Sequence, residues 1–302
     1  MNTENVYNIL WIDDEHEDMN ATKGRAARNG IRLHPFKSKN MGLRELQKNI
    51  DFYDGVLLDA KCRENEDDSK GTEDTQHSID AKELINSLEK KFEIFVLTGQ
   101  SEDHIDGSYK KIFKNVYEKG NNEHFEELLD RLKESAKTLK DTQLKHKYSE
   151  VFRLANEGLL DGKTNTRLLE LVKYLEGEDE LSERELTPLR KIIENLFAYL
   201  KSIDLLPAEI AEEKGWINKS SRFLAGRDDR YVYNEKLLPP LIAESIHRLL
   251  NITQDGSHGD GELRLAVDDY LASTKNNYLF VSTTYLLFDI LSWFGSSIVQ
   301  HS

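Results

Sequence analysis

Residues 7–15 read YNILWIDDE, six mostly apolar residues that run straight into three consecutive acids. A short, uninterrupted apolar run of this kind fits a strand buried on both faces. Four further β-type runs follow, at 31–36 (IRLHPF), 55–58 (GVLL), 92–97 (FEIFVL) and 115–118 (NVYE). Between them lie polar, helix-compatible stretches near 16–29, 40–50, 78–90 and 102–113, with another near 123–140. Strand–helix alternation at this spacing predicts βαβ units and a buried parallel sheet.

Such sheets place ligands beyond the carboxyl ends of their strands. The polar residues expected there are Asp13, Asp14 and Glu15 after the first run, Asp59 after the third, Thr98 after the fourth and Lys119 after the fifth. Crowded carboxylates repel one another, and a hard divalent cation with oxygen ligands relieves that repulsion. A lysine beside them is a point charge for an anion, and a threonine hydroxyl is a donor to one. The set suits capture of a phosphoryl group on a carboxylate, the nucleophile of aspartyl-phosphate chemistry.

The order DD…D…T…K at strand ends resembles the receiver domain of two-component response regulators, over roughly residues 5–140. The resemblance implies an α/β fold: a five-stranded, doubly wound parallel sheet of order 2-1-3-4-5. It implies Asp59 as phosphoacceptor, Asp14 as a direct Mg²⁺ ligand and Asp13 as a water-mediated one. The backbone carbonyl of Lys61 would also face the metal, and Thr98 and Lys119 would bind phosphoryl oxygens. Gly99 would leave the phosphoryl group open to solvent. The implied partner is a histidine kinase or phosphotransfer protein.

Three features depart from the family pattern. Gly120 follows Lys119 where the family has proline. The family's reporting aromatic, three residues before the lysine, is replaced by Val116, with Tyr117 one place later and on the opposite strand face. Residues 60–77 (AKCRENEDDSKGTEDTQH) form a long charged insertion where the family has a short loop. A mobile flap is expected there, with Cys62 an exposed thiol.

Composition bounds the rest. The 302 residues predict about two domains, placed at 1–140 and 141–302. With 38% apolar and 9% aromatic residues the chain is expected to fold. One cysteine excludes an internal disulfide framework, which fits a reducing cytoplasm, and the acidic start is not that of a signal peptide. The formal charge of −14 counts against an electrostatically driven nucleic-acid binder. No basic half hides within it: 22 Lys+Arg face 29 Asp+Glu up to residue 140, and 19 face 26 after it.

Beyond residue 120 the pattern turns helical. Phe125, Leu128, Leu129, Leu132 and Leu139 make one apolar stripe, followed by a linker at 133–147 rich in Lys, Thr and Gln. An all-α domain is expected next, with its clearest amphipathic helix at 186–200 and a solvated loop at 202–230. Another helix is expected at 241–252, ahead of a Gly- and Asp-rich turn (TQDGSHGDGE). The apolar segment 278–294 (YLFVSTTYLLFDILSWF) contains Asp289, which disfavours a bilayer centre, so a core or dimer-interface helix is expected rather than a membrane anchor. Residues 150–300 resemble HEPN-type helical domains, in which a polar residue and a histidine form a ribonuclease site at a dimer interface. Here the resemblance picks out Asn251 and His258. Two outputs therefore stand: an interaction or dimerisation module, and a ribonuclease with His258 as acid/base. A complete catalytic set is not found, so the chemistry expected of the chain is phosphoryl transfer and self-dephosphorylation. A DNA-binding output is not favoured, because no basic recognition helix is found.

Overall fold

The structure, a computed structural model, describes residues 5–99, 107–177, 186–228, 230, 237–258, 265–274 and 276–298. The five apolar runs form parallel strands β1 (Tyr7–Ile12), β2 (Ile31–Phe36), β3 (Gly55–Asp59), β4 (Ile94–Thr98) and β5 (Asn115–Glu118). Their order is β2-β1-β3-β4-β5. The helices between and after them are α1 (Asn20–Arg28), α2 (Lys39–Lys48), α3 (Thr75–Ser87), α4 (Gly107–Ile112) and α5 (Asn122–Thr138). The fold is thus the expected doubly wound α/β sheet.

Strand periodicity sends alternate side chains to opposite faces. Leu10, Ile12, Val56, Leu58 and Val96 join one core with Leu43, Ala81 and Tyr109. Ile9, Trp11, Leu57, Phe95 and Leu97 join the other with Ala26, Phe125 and Leu128. Both faces are dry, which is why the strands read as continuous apolar runs. Helix starts are fixed by side-chain caps: Ser38 accepts from the Met41 amide, Asp74 from Gln76, and Asn121 from Glu123 and His124.

Residues 133–147 are not a linker. The chain turns after α5 and enters α6 (Lys140–Lys147), which packs against α5. The Lys145 ammonium donates to Asp54 Oδ1 at 2.5 Å and to the carbonyls of Asp51 and Phe52 at 3.1 Å. Thr142 Oγ1 donates to the same Asp54 oxygen at 2.8 Å, and the Asn8 amide donates to Asp54 Oδ2 at 2.9 Å. A buried charge needs such a full set of partners. Polar residues 142 and 145 therefore face inward, which the polar reading of this stretch did not anticipate.

The chain divides into two compact units, 1–147 and 148–302. The described part of the second is helical: α7 (Ser149–Asn156), α8 (Gly162–Leu175), α9 (Thr187–Ser202), α10 (Ala208–Ala211), α11 (Trp216–Leu224), α12 (Pro240–His258), α13 (Val267–Ser273) and α14 (Tyr278–Ile298). Two expectations are corrected. The loop at 202–230 contains α10 and α11, with Ile210, Ile217, Phe223 and Leu224 buried. The helix expected to end at 252 continues to His258, through the first half of the supposed turn.

Helix α14 is long and apolar enough to cross a membrane, with mean hydropathy 1.2 over Tyr278–Ser297, yet half of it is buried inside the protein. It packs against α7 and α12, with Phe280, Leu287, Ile290 and Leu291 buried. At Gly295 a Cβ would lie 3.2 Å from the Arg153 Cβ, so glycine permits the close approach to α7. Asp289 points outward and is exposed.

Candidate functional site

The carboxyl edge of the sheet carries the acids. Asp13 follows β1 directly, and its amide bonds to the Phe36 carbonyl at the end of β2. Its carboxylate Oδ1 accepts the Glu15 amide at 3.0 Å, which turns the chain away from the sheet. Asp59 is the last residue of β3 and Thr98 the last of β4. Lys119 follows β5, and its amide donates to the Thr98 carbonyl at 2.7 Å. Gly120 then takes φ = +86°, a left-handed conformation closed to proline, so glycine here makes a different exit from the strand.

Lys119 Nζ lies 2.7 Å from Asp59 Oδ2 and 2.8 Å from Asp13 Oδ2. Ligand oxygens of Asp13, Asp14 and Asp59 all fall within 4.8 Å of one another. Asp14 Oδ2 is 3.2 Å from Arg63 Nε, which is also 3.2 Å from Glu73 Oε1. Four carboxylates thus share two cationic side chains, leaving two negative charges in excess when all are ionised. Burial, then the neighbouring Asp13 charge, pushes the Asp59 pKa up, against Lys119 and the Lys61 amide, which donates to Asp59 Oδ1 at 3.4 Å. Burial also raises Asp14, with Arg63 opposing and Glu73 and Asp13 adding. Burial opposes the Lys119 charge, but Asp59 and Asp13 outweigh it and hold that pKa above the usual lysine range.

A pocket of about 230 Å³ opens onto this cluster, lined by Asp14, Glu15, Asp59, Lys61, Lys70, Glu73, Thr98, Gly99 and Lys119. A Cβ at Gly99 would meet nothing within 4 Å, so the mouth beside Thr98 is open. All six residues singled out at the strand ends, with Lys61, therefore converge here. The donor set fits a hard divalent cation: it is all oxygen, carries excess negative charge, and includes the buried Asp13 Oδ2, which lacks an aligned hydrogen bond and lies 2.8 Å from the Lys119 ammonium.

The insertion is ordered, which corrects the expected flap. Its start is bound to the N-terminus of α2, where the Lys39 and Asn40 amides donate to the carbonyls of Arg63 and Glu64. Its end is bound at α3, where the Asp74 amide and His77 Nδ1 reach the Cys62 carbonyl. Cys62 is buried, not exposed, and burial pushes its thiol pKa up to about 12.

Sequence reasoning missed four residues. Arg63 and Glu73 were hidden in a run of mixed charge. Ser78 and Tyr109 supply a buried link: the Tyr109 hydroxyl meets Ser78 Oγ at 2.9 Å, and Ser78 Oγ reaches the carbonyl of Ala60, next to Asp59, at 2.9 Å. Tyr109 comes from α4 and packs in the core that includes Val96 and Val116. Tyr117 points to the other face and stacks on Phe95.

In the helical unit Asn251 and His258 both lie on α12, seven residues apart. Asn251 is buried and its amide donates to the His247 carbonyl at 2.8 Å. It lines a cavity of about 630 Å³ with Glu244, His247, Arg248 and Tyr270. Three basic residues near 219–230 are paired: Lys219 and Arg230 with Glu213, Arg230 also with Asp228, and Arg227 with Glu244.

One solved structure similar to the chain is titled a response regulator receiver domain protein from Clostridium thermocellum. It is 20% identical over 44% of this chain and 96% of that one, with a TM-score of 0.34. No family model and no curated protein matches the sequence.

Proposed function

We propose that the N-terminal unit is a phosphoryl-accepting switch of the two-component signalling type, with Asp59 as acceptor. The observation that carries this reading is the bridging of Asp59 and Asp13 by Lys119 at 2.7 and 2.8 Å, at the mouth of an open pocket on the carboxyl edge of the sheet. The donor is a phosphohistidine on a kinase or phosphotransfer protein. An Asp59 carboxylate oxygen attacks phosphorus, the new O–P bond forms as the N–P bond breaks, and the electron pair leaves on the imidazole nitrogen, which is then protonated by solvent. Asp13, Asp14 and Asp59, with the Lys61 carbonyl, would hold Mg²⁺, which neutralises developing charge on the transferred group. Lys119 exchanges part of its carboxylate pairing for a phosphoryl oxygen, and the Thr98 hydroxyl donates to another. Water attack on phosphorus later breaks the O–P bond and releases inorganic phosphate.

The helical unit is read as an interaction or dimerisation module. Leu241, Tyr278 and Tyr285, each at least half exposed, support that reading. The N-terminal assignment is tested by incubating the full chain with acetyl phosphate and Mg²⁺ and measuring intact mass. The wild type gains one phosphoryl group and Asp59→Asn gains none. Labelling of Asp59→Asn at the wild-type level would remove Asp59 from the mechanism.

A further inference from the structure

Arg63 occupies a position the phosphoryl chemistry does not require. Its Nε stands at 3.2 Å from two carboxylates, one in the acid cluster (Asp14) and one in its own strap (Glu73). The two partners differ in what else holds them. Glu73 is fixed within the strap, because its Oε2 accepts the Gly71 amide at 2.8 Å. Asp14 belongs to the three-carboxylate set whose oxygens converge within 4.8 Å. Arg63 is itself buried enough to be held in place, with its side chain 12% exposed and Nη1 donating to the Asp68 carbonyl at 3.3 Å. The base of the strap, where Arg63 itself lies, is pinned to α2 and α3, and from there this guanidinium reaches the acid cluster.

We infer that Arg63 is a built-in counter-cation that competes with a divalent cation for Asp14, and that cation entry shifts it onto Glu73 and releases the strap from the acid cluster. The inference rests on the cation-binding reading of the acid cluster given above. A dication coordinated by Asp14 would lie a few ångströms from the guanidinium, and like charges at that range repel. Glu73 offers Arg63 a second anchor already at contact distance, so the exchange needs little movement. By linkage, whatever strengthens the Arg63–Glu73 pair strengthens cation binding, and the reverse holds too. Arg63 is thus a positioning residue for the site, setting both cation affinity and access to Asp59.

The test is a Mn²⁺ titration of the full chain, with free Mn²⁺ followed by electron paramagnetic resonance, in the wild type, Arg63→Gln, Glu73→Gln, the double variant and Asp14→Asn. Removing Arg63 is expected to tighten Mn²⁺ binding about tenfold, the effect of one partly buried charge close to the ion. Removing Glu73 leaves Arg63 on Asp14 alone and is expected to weaken binding about threefold. The double variant distinguishes competition from a general field: it should bind like Arg63→Gln, because Glu73 acts through Arg63. Hydrogen exchange of the 64–73 amides should speed up on adding Mn²⁺ to the wild type. Unchanged or weaker binding by Arg63→Gln overturns the inference, as does an equal Glu73→Gln effect in both backgrounds. Binding by Asp14→Asn at the wild-type affinity overturns it as well. Absence of binding in every variant fails differently: it removes the cation site itself, and this inference with it.

Discussion

At the scale of single residues, the strand-end positions were readable and the strap side chains were not. Asp13, Asp59, Thr98 and Lys119 each terminate or follow a strand whose apolar run is clear, so parallel-sheet geometry alone brings them together. Arg63 and Glu73 sit in a stretch with no periodicity, where nothing in the sequence says which charge turns inward. Cys62 shows the same gap: its neighbours are charged, yet hydrogen bonds from Asp74 and His77 to its carbonyl draw it into the core. Its thiol is fully buried, with the pKa pushed up to about 12 by burial and then by the charges of Asp59 and Asp14. The native chain should therefore react with a thiol reagent such as dithiobisnitrobenzoate only as fast as it unfolds, and become reactive at once in guanidinium. Rapid stoichiometric reaction of the native chain would contradict the ordered strap.

At the scale of elements, the clearest departure from expectation is α6. Lys140–Lys147 contains one large aliphatic residue, Leu144, and so reads as a connector. Its hold on the sheet is polar, through Thr142 and Lys145 on Asp54, a kind of burial that hydrophobic periodicity cannot report. Burial alone would raise the Asp54 pKa, but Lys145 and then Lys90 outweigh it and hold the carboxyl below its usual value. A carboxyl depressed in the folded state stabilises the fold above its unfolded pKa, and that stability is lost as pH falls through the folded one. Lys145→Met leaves Asp54 buried without its main countercharge and should cost about 3–5 kcal/mol. Urea denaturation at neutral pH measures this, and a loss below about 1 kcal/mol would show that α6 is held by something else. Helix α12 illustrates a second illegible feature. Gly256 within QDGSH reads as a turn, but the helix runs through it to His258, because glycine costs a helix interior only about 1 kcal/mol.

At the scale of the whole molecule, the α/β-then-α sequence of elements was legible because short continuous apolar runs alternate with polar stretches in the first part, whereas apolar residues recur at helical spacing after residue 120. The sheet order follows from the chain's own strand pairing, and the acid cluster follows from that order. What the second unit acts on was not legible, since Lys219, Arg227 and Arg230 are taken up by acids of the same unit and most of its apolar residues serve its own core. The account therefore turns on one chemical event in the first unit. An aspartyl phosphate can be reduced by borohydride, which marks the acceptor as homoserine and allows it to be located by peptide mass spectrometry. After treatment of the wild-type chain with acetyl phosphate and Mg²⁺, the account predicts that mark at position 59, and its loss when Mg²⁺ is chelated. A mark at another carboxylate, or none at all under conditions where a known acceptor is labelled, would contradict it.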